Sequence, residues 1–407
     1  MRTRLEGKRV VICAGSGGVG KTTTSAALAM GLAAAGARVA VVTIDPARRL
    51  ANSLGLAALD NEPRLVDPAR FEGHGIAMRG ELWAMMLDPK RTLDELVERL
   101  EPDPGARADV LGNRIYQQLS GAVAGSQEFT AVAKLFELDR SGRFDVLVLD
   151  TPPSRNALDF LDAPDRLMGF LSGRALRVFL APTGLAAKVL GAGTSVVFSV
   201  LRRLTGVDLL EDLGVFFRAL GGLIDGFEER AEGVKALLGD PATTFLIVSS
   251  PEREPVEEAI FFRGKLADHG MPFGGLVVNR VHALDGDGGG DRDGGAAARD
   301  GNGGGAASGQ GDGDGDGDAD GDGDTAAAGN GDPGALTAVL GAKLAAKVAR
   351  AYREEQALAE RDAAALARLR AETGDDDPVV VPQLAGDVHD IDGLVAVHGH
   401  LFARDSS

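Results

Sequence analysis

Eight residues near the start of the chain, Gly15-Ser16-Gly17-Gly18-Val19-Gly20-Lys21-Thr22, have the types and spacing G-x-x-x-x-G-K-[ST]. Glycines at these positions let backbone N–H groups converge on phosphate oxygens with no Cβ in the way. A helix opening near Lys21 adds the positive end of its dipole. Lys21 is expected to reach the β- and γ-phosphates of a nucleotide, and Thr22 to place its hydroxyl on Mg²⁺. The nucleotide-binding set read from this run is Gly15, Ser16, Gly17, Gly18, Val19, Gly20, Lys21, Thr22 and Thr23. Two acids complete the chemistry. Asp150 ends the apolar run Val146-Leu147-Val148-Leu149, where a carboxylate can support a Mg²⁺-bound water. Asp45 ends a second such run, and two acids around one phosphate loop suggest one for the metal and one that orients the attacking water.

Those residues need a sheet to hold them. Short runs rich in branched residues read as strands: Arg9 to Ala14, Arg38 to Ile44, Leu82 to Leu87, Phe144 to Leu149, Thr244 to Ser249, Gly275 to Asn279 and Pro378 to Val381. Most are continuously apolar, as strands covered on both faces must be, and helical stretches separate them. The predicted fold class is α/β, a mainly parallel sheet in a P-loop domain. The helix after the first strand is expected over Lys21 to Ala35, stopping at Gly36.

Two regions break the rhythm. Residues 156–240 carry apolar residues at helical spacing, such as Leu213, Phe216, Phe217 and Leu220, and predict an inserted all-helical subdomain. Residues 285–334 are mostly Gly, Asp and Ala, a composition that predicts a disordered acidic insert. No 12-residue window there closes with the Glu of a calcium loop. The core is thus expected in three parts, residues 1–155, 241–284 and 335–407, the last with a long helix from Leu336 to Ala371.

Composition narrows the partners. The formal charge is −17, and from Asp285 to Asp332 thirteen aspartates face only Arg292 and Arg299. Such acidity disfavours nucleic acid or anionic lipid as the main partner. One cysteine, Cys13, excludes an internal disulfide and a multi-cysteine metal site, and reads as a buried strand thiol in a reducing, cytoplasmic setting. The six histidines are scattered, and His398 and His400 read as a solvated tail. No run reaches the roughly 20 apolar residues of a transmembrane helix.

The run Gly17 to Thr23, then Asp45-Pro46-Ala47, Leu82-Trp83-Ala84-Met85-Met86-Leu87-Asp88-Pro89, Asp150-Thr151-Pro152-Pro153, Val277-Val278-Asn279-Arg280 and Val381-Pro382-Gln383-Leu384 closely resembles the arsenite-pump (ArsA) ATPase family. The resemblance covers most of the chain outside the acidic insert. It implies ATP and Mg²⁺ as ligands, Asp45 in a first switch that positions the water, and Asp150 opening a second switch that senses the γ-phosphate. It also implies that Asn279 contacts adenine and that the Pro382 loop lines the base pocket. Family members dimerise across the nucleotide, and closure reshapes a helical subdomain that handles a hydrophobic client.

Three departures from the family pattern stand out. Ser16 occupies the position of a lysine that reaches the partner's nucleotide, Ser154-Arg155-Asn156 replaces Thr-Gly-His, and Arg48 and Arg49 stand where small polar or His residues are common. A homodimer therefore lacks that lysine unless Arg48, Arg49 or Arg155 substitutes, so a heterodimer with a lysine-bearing paralogue is expected, with a slow or inactive homodimer as the alternative. The favoured function is ATP hydrolysis coupled to dimer closure and a hydrophobic protein or membrane partner. Competing readings are a regulatory nucleotide-binding subunit with little turnover, the energising subunit of an anion or arsenite exporter, and a spatial-positioning ATPase.

Overall fold

β1 (Val10–Ala14) is buried at every position, and its alternate residues feed opposite halves of the core. Val10, Ile12 and Ala14 point into one cluster, Val11 and Cys13 into the other. Burial on both faces is why the strand is continuously apolar rather than alternating. These features come from a computed structural model, which describes residues 1–45, 47–114, 116–117, 126–151, 224–282, 341–384, 386, 388 and 390–403.

The other strands are β2 (Arg38–Thr43), β3 (Arg64–Leu65), β4 (Glu81–Met86), β5 (Val146–Asp150), β6 (Thr243–Ser249), β7 (Phe273–Val281) and β8 (Val379–Pro382). They form one sheet in the order β3-β4-β2-β5-β1-β6-β7-β8. Every neighbouring pair is parallel except β3–β4, which is antiparallel. All seven strands read from the sequence are present, with ends shifted by one or a few residues. β3 was not anticipated, because two exposed residues carry no periodic signal.

The helices in chain order are α1 (Arg2–Leu5), α2 (Lys21–Ala34), α3 (Arg49–Ser53), α4 (Ala69–Glu72), α5 (Pro89–Leu100), α6 (Pro104–Gly112), α7 (Ser126–Ser141), α8 (Ile224–Gly239), α9 (Arg253–Asp268), α10 (Ala342–Thr373) and α11 (Ile391–Phe402). One face of the sheet is covered by α2, α3 and α11 through Leu28, Met30, Leu50, Leu394 and Val397. The opposite face packs against α5, α7, α8 and α9 through Leu96, Val97, Val132, Leu135, Val234, Leu238, Phe262 and Leu266. The Asp88-Pro89 pair of the fourth-strand motif starts α5. The Asp88 carboxylate accepts the Arg91 amide at 3.0 Å and Pro89 fills the first turn, where a missing N–H costs nothing.

The expected helical subdomain lies mostly outside the described residues. Its described end, α8, belongs to the sheet's own core, where Val234 and Leu238 are fully buried. The acidic insert lies outside the described residues altogether. The long helix runs over Ala342–Thr373, ending two residues later than expected, and its expected first residues, 336–340, lie outside the described residues.

Contacts divide the chain into Met1–Val281 with Arg361–Ser407, and His282–Glu360. The first unit contains the sheet and buries Leu369 near the end of α10. In the second, the described helical residues expose Leu344, Val348 and Tyr352.

His398 and His400 lie on α11 rather than on a tail; His400 is exposed as expected, whereas His398 is half-buried, which lowers its pKa. The His398 ring sits 4.9 Å from that of Phe402, and both approach Gly31 of α2, where any Cβ would collide with them. Gly31 thus lets α11 press directly on the helix that follows the β1–α2 loop.

Near the far edge of the sheet, Asp375 pairs with Arg4 through two bonds of 2.8 and 3.0 Å and accepts the buried Leu276 amide at 2.7 Å. Burial works to raise the Asp375 pKa, but the bonds from Arg4 and Leu276 outweigh it and hold the carboxyl below its usual value. The depressed pKa belongs to the folded state, so its stabilisation is present above the unfolded carboxylate value of about 3.9 and lost as pH falls through the folded value. Asp375→Ala, which strands the Leu276 amide, should destabilise the chain by about 1–3 kcal/mol at neutral pH. In denaturant titrations the gap between variant and wild type should begin to narrow only as pH falls below about 4.

Candidate functional site

The sheet order sets the site. β1 runs between β5 and β6, and the loop after it opens at the carboxyl ends of the parallel strands, where open α/β sheets bind ligands. At two positions of the loop the close approach of neighbours leaves no room for a side chain. Gly15, at φ 152°, lies so close to β6 that a Cβ would overlap the Val248 carbonyl oxygen. Gly20, at φ 93°, faces the Asn279 side chain in the same way and occupies the N-cap of α2 in a left-handed conformation. No side chain caps α2, so the first amides of the helix remain available to an anion.

Lys21 is only 6% exposed, and its ammonium donates to the carbonyls of Gly15 at 2.9 Å and Ser16 at 2.8 Å. Burial lowers its pKa, while Asp150, Glu258 and Asp45 pull it back up. The loop thus folds around its own cation, with backbone carbonyls as provisional partners. Phosphate oxygens, being charged, make stronger acceptors.

Asp150 is 1% exposed. The hydroxyls of Thr22 and Thr43 both donate to its Oδ2, at 2.7 and 2.8 Å, while Oδ1 is buried with no hydrogen-bond partner. Burial pushes the carboxyl up to about 6, against the pull of Thr22, Thr43 and Lys21. Register explains the geometry. Asp150 stands opposite Cys13 on one neighbouring strand and Thr43 on the other, so Thr43 and Asp150 meet by strand pairing alone. A buried carboxylate with one orphaned oxygen, beside a threonine hydroxyl, is a hard-oxygen set suited to Mg²⁺, which keeps most of its waters and takes few protein ligands. Among the described residues no group of three or more His, Cys, Asp or Glu could hold a metal.

A cleft of about 340 Å³ opens over this floor. Gly18, Gly20, Lys21, Thr22, Thr23, Asp45, Asn279 and Pro382 line it, so sequence-predicted residues from four separate stretches meet in one cavity, while Asp150 is not among its lining residues. Gly15, Ser16, Gly17 and Val19 are not among its lining residues. Ser16 and the Val19 side chain are buried, and Gly17 is exposed. Asn279 does more than face the cleft, because its amide donates to the Val19 carbonyl at 3.0 Å and ties β7 to the phosphate loop. Asp45 accepts the Ala47 amide at 2.9 Å and pairs with Arg49, Nη1 to Oδ2, at 3.3 Å. Pro46 and Arg155 lie outside the described residues.

Sequence reading did not single out Thr43, Thr151 or Gln383. Thr151 lines the cleft and its hydroxyl donates to the Cys13 carbonyl at 2.8 Å, while Gln383 lines the β8 side. The signal for Thr43 was its place two residues before Asp45, on a strand aligned with the one ending in Asp150. Cys13 is fully buried, and burial pushes its thiol up to about 12.

Residues 8–287 match the profile of the Anion-transporting ATPase family, more than half of the chain. The chain belongs to that family. Among curated relatives, the ATPase GET3 of Malassezia globosa is 33% identical over 159 residues, which is 39% of this chain and 43% of the relative. A putative arsenical pump-driving ATPase 1 of Aquifex aeolicus is 28% identical over 257 residues, 62% of this chain and 58% of the relative. The ATPase GET3 of Mycosarcoma maydis is 30% identical over 186 residues, 44% of this chain and 50% of the relative. The chain spans about half the length of the curated relatives it matches. No helix among the described residues of this family member is long and apolar enough to cross a membrane.

Proposed function

We propose that this chain binds MgATP in the cleft between the β1–α2 loop and the β7–β8 ends and hydrolyses it. The observation that carries this reading is the Thr22–Asp150–Thr43 arrangement, a buried carboxylate satisfied on one oxygen and orphaned on the other, directly beneath the uncapped start of α2. Gly15 to Thr23 would cradle the phosphates, Lys21 would neutralise the β- and γ-oxygens, and Thr22 with Asp150 would hold the metal. Bound Mg²⁺ supplies charge neutralisation across the phosphate oxygens. Asp45 would orient the attacking water, and Asn279 and Pro382 would face the base. Membership of a family of anion-transporting ATPases and the names of the relatives support the same chemistry.

Hydrolysis is read as closing a dimer, with a lysine-bearing paralogue as partner, and as acting on a hydrophobic protein or membrane client. Ser16 motivates the paralogue, since no cation stands at that loop position. The same serine favours one second reading, a regulatory subunit that binds nucleotide with little turnover. An arsenite-exporter role draws support from the name of the Aquifex aeolicus relative. It is weakened by Cys13, because trivalent arsenic needs several thiolates and this lone thiol is buried and protonated.

Calorimetry on the intact chain tests the site. ATP affinity in Mg²⁺ should exceed that in chelator, and Asp150→Asn should erase the difference. Mg²⁺-dependence that survives Asp150→Asn removes the assignment. Turnover measured alone and with a lysine-bearing paralogue separates a paired enzyme from a regulatory subunit.

A further inference from the structure

Asp45 and Arg49 are four residues apart but do not form an ordinary helix pair, since α3 begins at Arg49 itself. The chain turns between them through Arg48, whose φ of 56° is unusual for a non-glycine residue and sets the N-cap of α3. That turn brings the Arg49 guanidinium to 3.3 Å from Asp45 Oδ2 while Oδ1 is held by the Ala47 amide. The side chain of Asp45 is 14% exposed and that of Arg49 is 63% exposed, so the carboxylate is confined and the cation has room to move. Both line the cleft with Lys21 and Thr22, whereas Arg48 is not among its lining residues.

Topology says which part of a nucleotide they face. Asp45 and Arg49 follow β2, two strands to one side of β1, while Asn279 and Pro382 come from β7 and β8 on the other. A nucleotide with its base on the β7–β8 side presents its terminal phosphate toward β2. There the Arg49–Asp45 pair poses a conflict. A carboxylate that orients water needs a free lone pair, and a guanidinium prefers the fork of phosphate oxygens to a single carboxylate oxygen.

We propose that Arg49 is a phosphate-sensing positioning residue. It holds Asp45 before ATP enters, then exchanges that carboxylate for the terminal phosphate and leaves Asp45 free to orient water. The proposal rests on the MgATP reading above. It makes Arg49 a cation supplied by the chain itself, at a site where Ser16 supplies none.

The exchange predicts an energetic coupling that a merely structural ion pair would not produce. In the full-length chain, measured by calorimetry with MgATP and MgADP, Arg49→Ala should weaken ATP about tenfold, the worth of a charge-assisted contact, and change ADP less than about twofold. Arg49→Lys should recover part of the ATP preference, and Arg49→Gln, which keeps a hydrogen-bond donor without charge, should not. Asp45→Asn releases Arg49, so it should tighten ATP severalfold in the wild-type background and have no effect in Arg49→Ala. Equal losses for ATP and ADP, no loss for either, or an Asp45→Asn effect that is the same in both backgrounds overturns the proposal. Lys21→Ala, run alongside, separates the two levels. If it leaves ATP binding intact, the nucleotide reading itself fails; if it abolishes binding while Arg49 variants keep the ATP preference, only the role of Arg49 fails.

Discussion

Lys21→Ala lowers MgATP affinity by about 10²-fold or more, the largest binding defect expected of any single substitution in the chain. The ammonium is nearly enclosed by the loop that carries it and is held by two neutral carbonyls. A triphosphate offers the same ammonium charged acceptors in a partly water-free cleft, where an ion pair is worth more than at the surface. Alanine keeps none of that interaction yet suits the first turn of α2, since it has the best intrinsic helix propensity. A calorimetric titration reads the affinity, and a thermal melt of the variant shows that the fold is retained. Undiminished binding would falsify the phosphate-site assignment, because no neighbouring side chain reproduces this placement.

The second large effect separates chemistry from binding. Asp45→Asn reduces single-turnover phosphate release by roughly 10²- to 10⁴-fold, the range lost with a water-activating carboxylate, while MgATP affinity does not fall. Asparagine matches aspartate in shape and can still accept the Ala47 amide, so the turn is conserved. It loses the charge that pairs with Arg49 and the basicity that draws a proton from water. A variant that binds ATP at least as well as wild type and turns it over far more slowly would place Asp45 in the transition state alone. Turnover at the wild-type rate would show that some other group orients the water.

The contrast between Lys21 and Asp45 follows from where each sits. Lys21 belongs to an uninterrupted local motif, so its type and spacing were legible from eight consecutive residues. Asp45 was legible as an acid at a strand end, but its partner was not, because the turn to Arg49 depends on the backbone of Arg48. Thr43 is the sharper case. Nothing local marks it as a second donor to Asp150, residues 107 apart in sequence; the parallel register of β2 and β5 makes it one.

The strands themselves were legible because most carry continuous runs of branched apolar residues, bounded by helical stretches. Elements at the margin were not. β3 has two exposed residues, and α11, read as a tail, is a helix whose inward face is visible only once Gly31 of α2 is seen to admit Phe402 and His398.

By itself, the order of residues determined the α/β class, the glycine-rich loop motif with its Lys and Thr, the two acidic strand ends and the single cysteine. These rest on local rules: steric freedom at glycine, the period of apolar residues, and the side-chain chemistry of Lys, Thr and Asp. Only the folded chain decided which oxygen of Asp150 is satisfied, which carbonyls hold Lys21, that Asn279 braces the loop at Val19, and that Arg49 rather than Arg48 faces the cleft. Each of those depends on strand register and turn geometry between distant segments, which contacts across the sheet select and no local run of residues encodes.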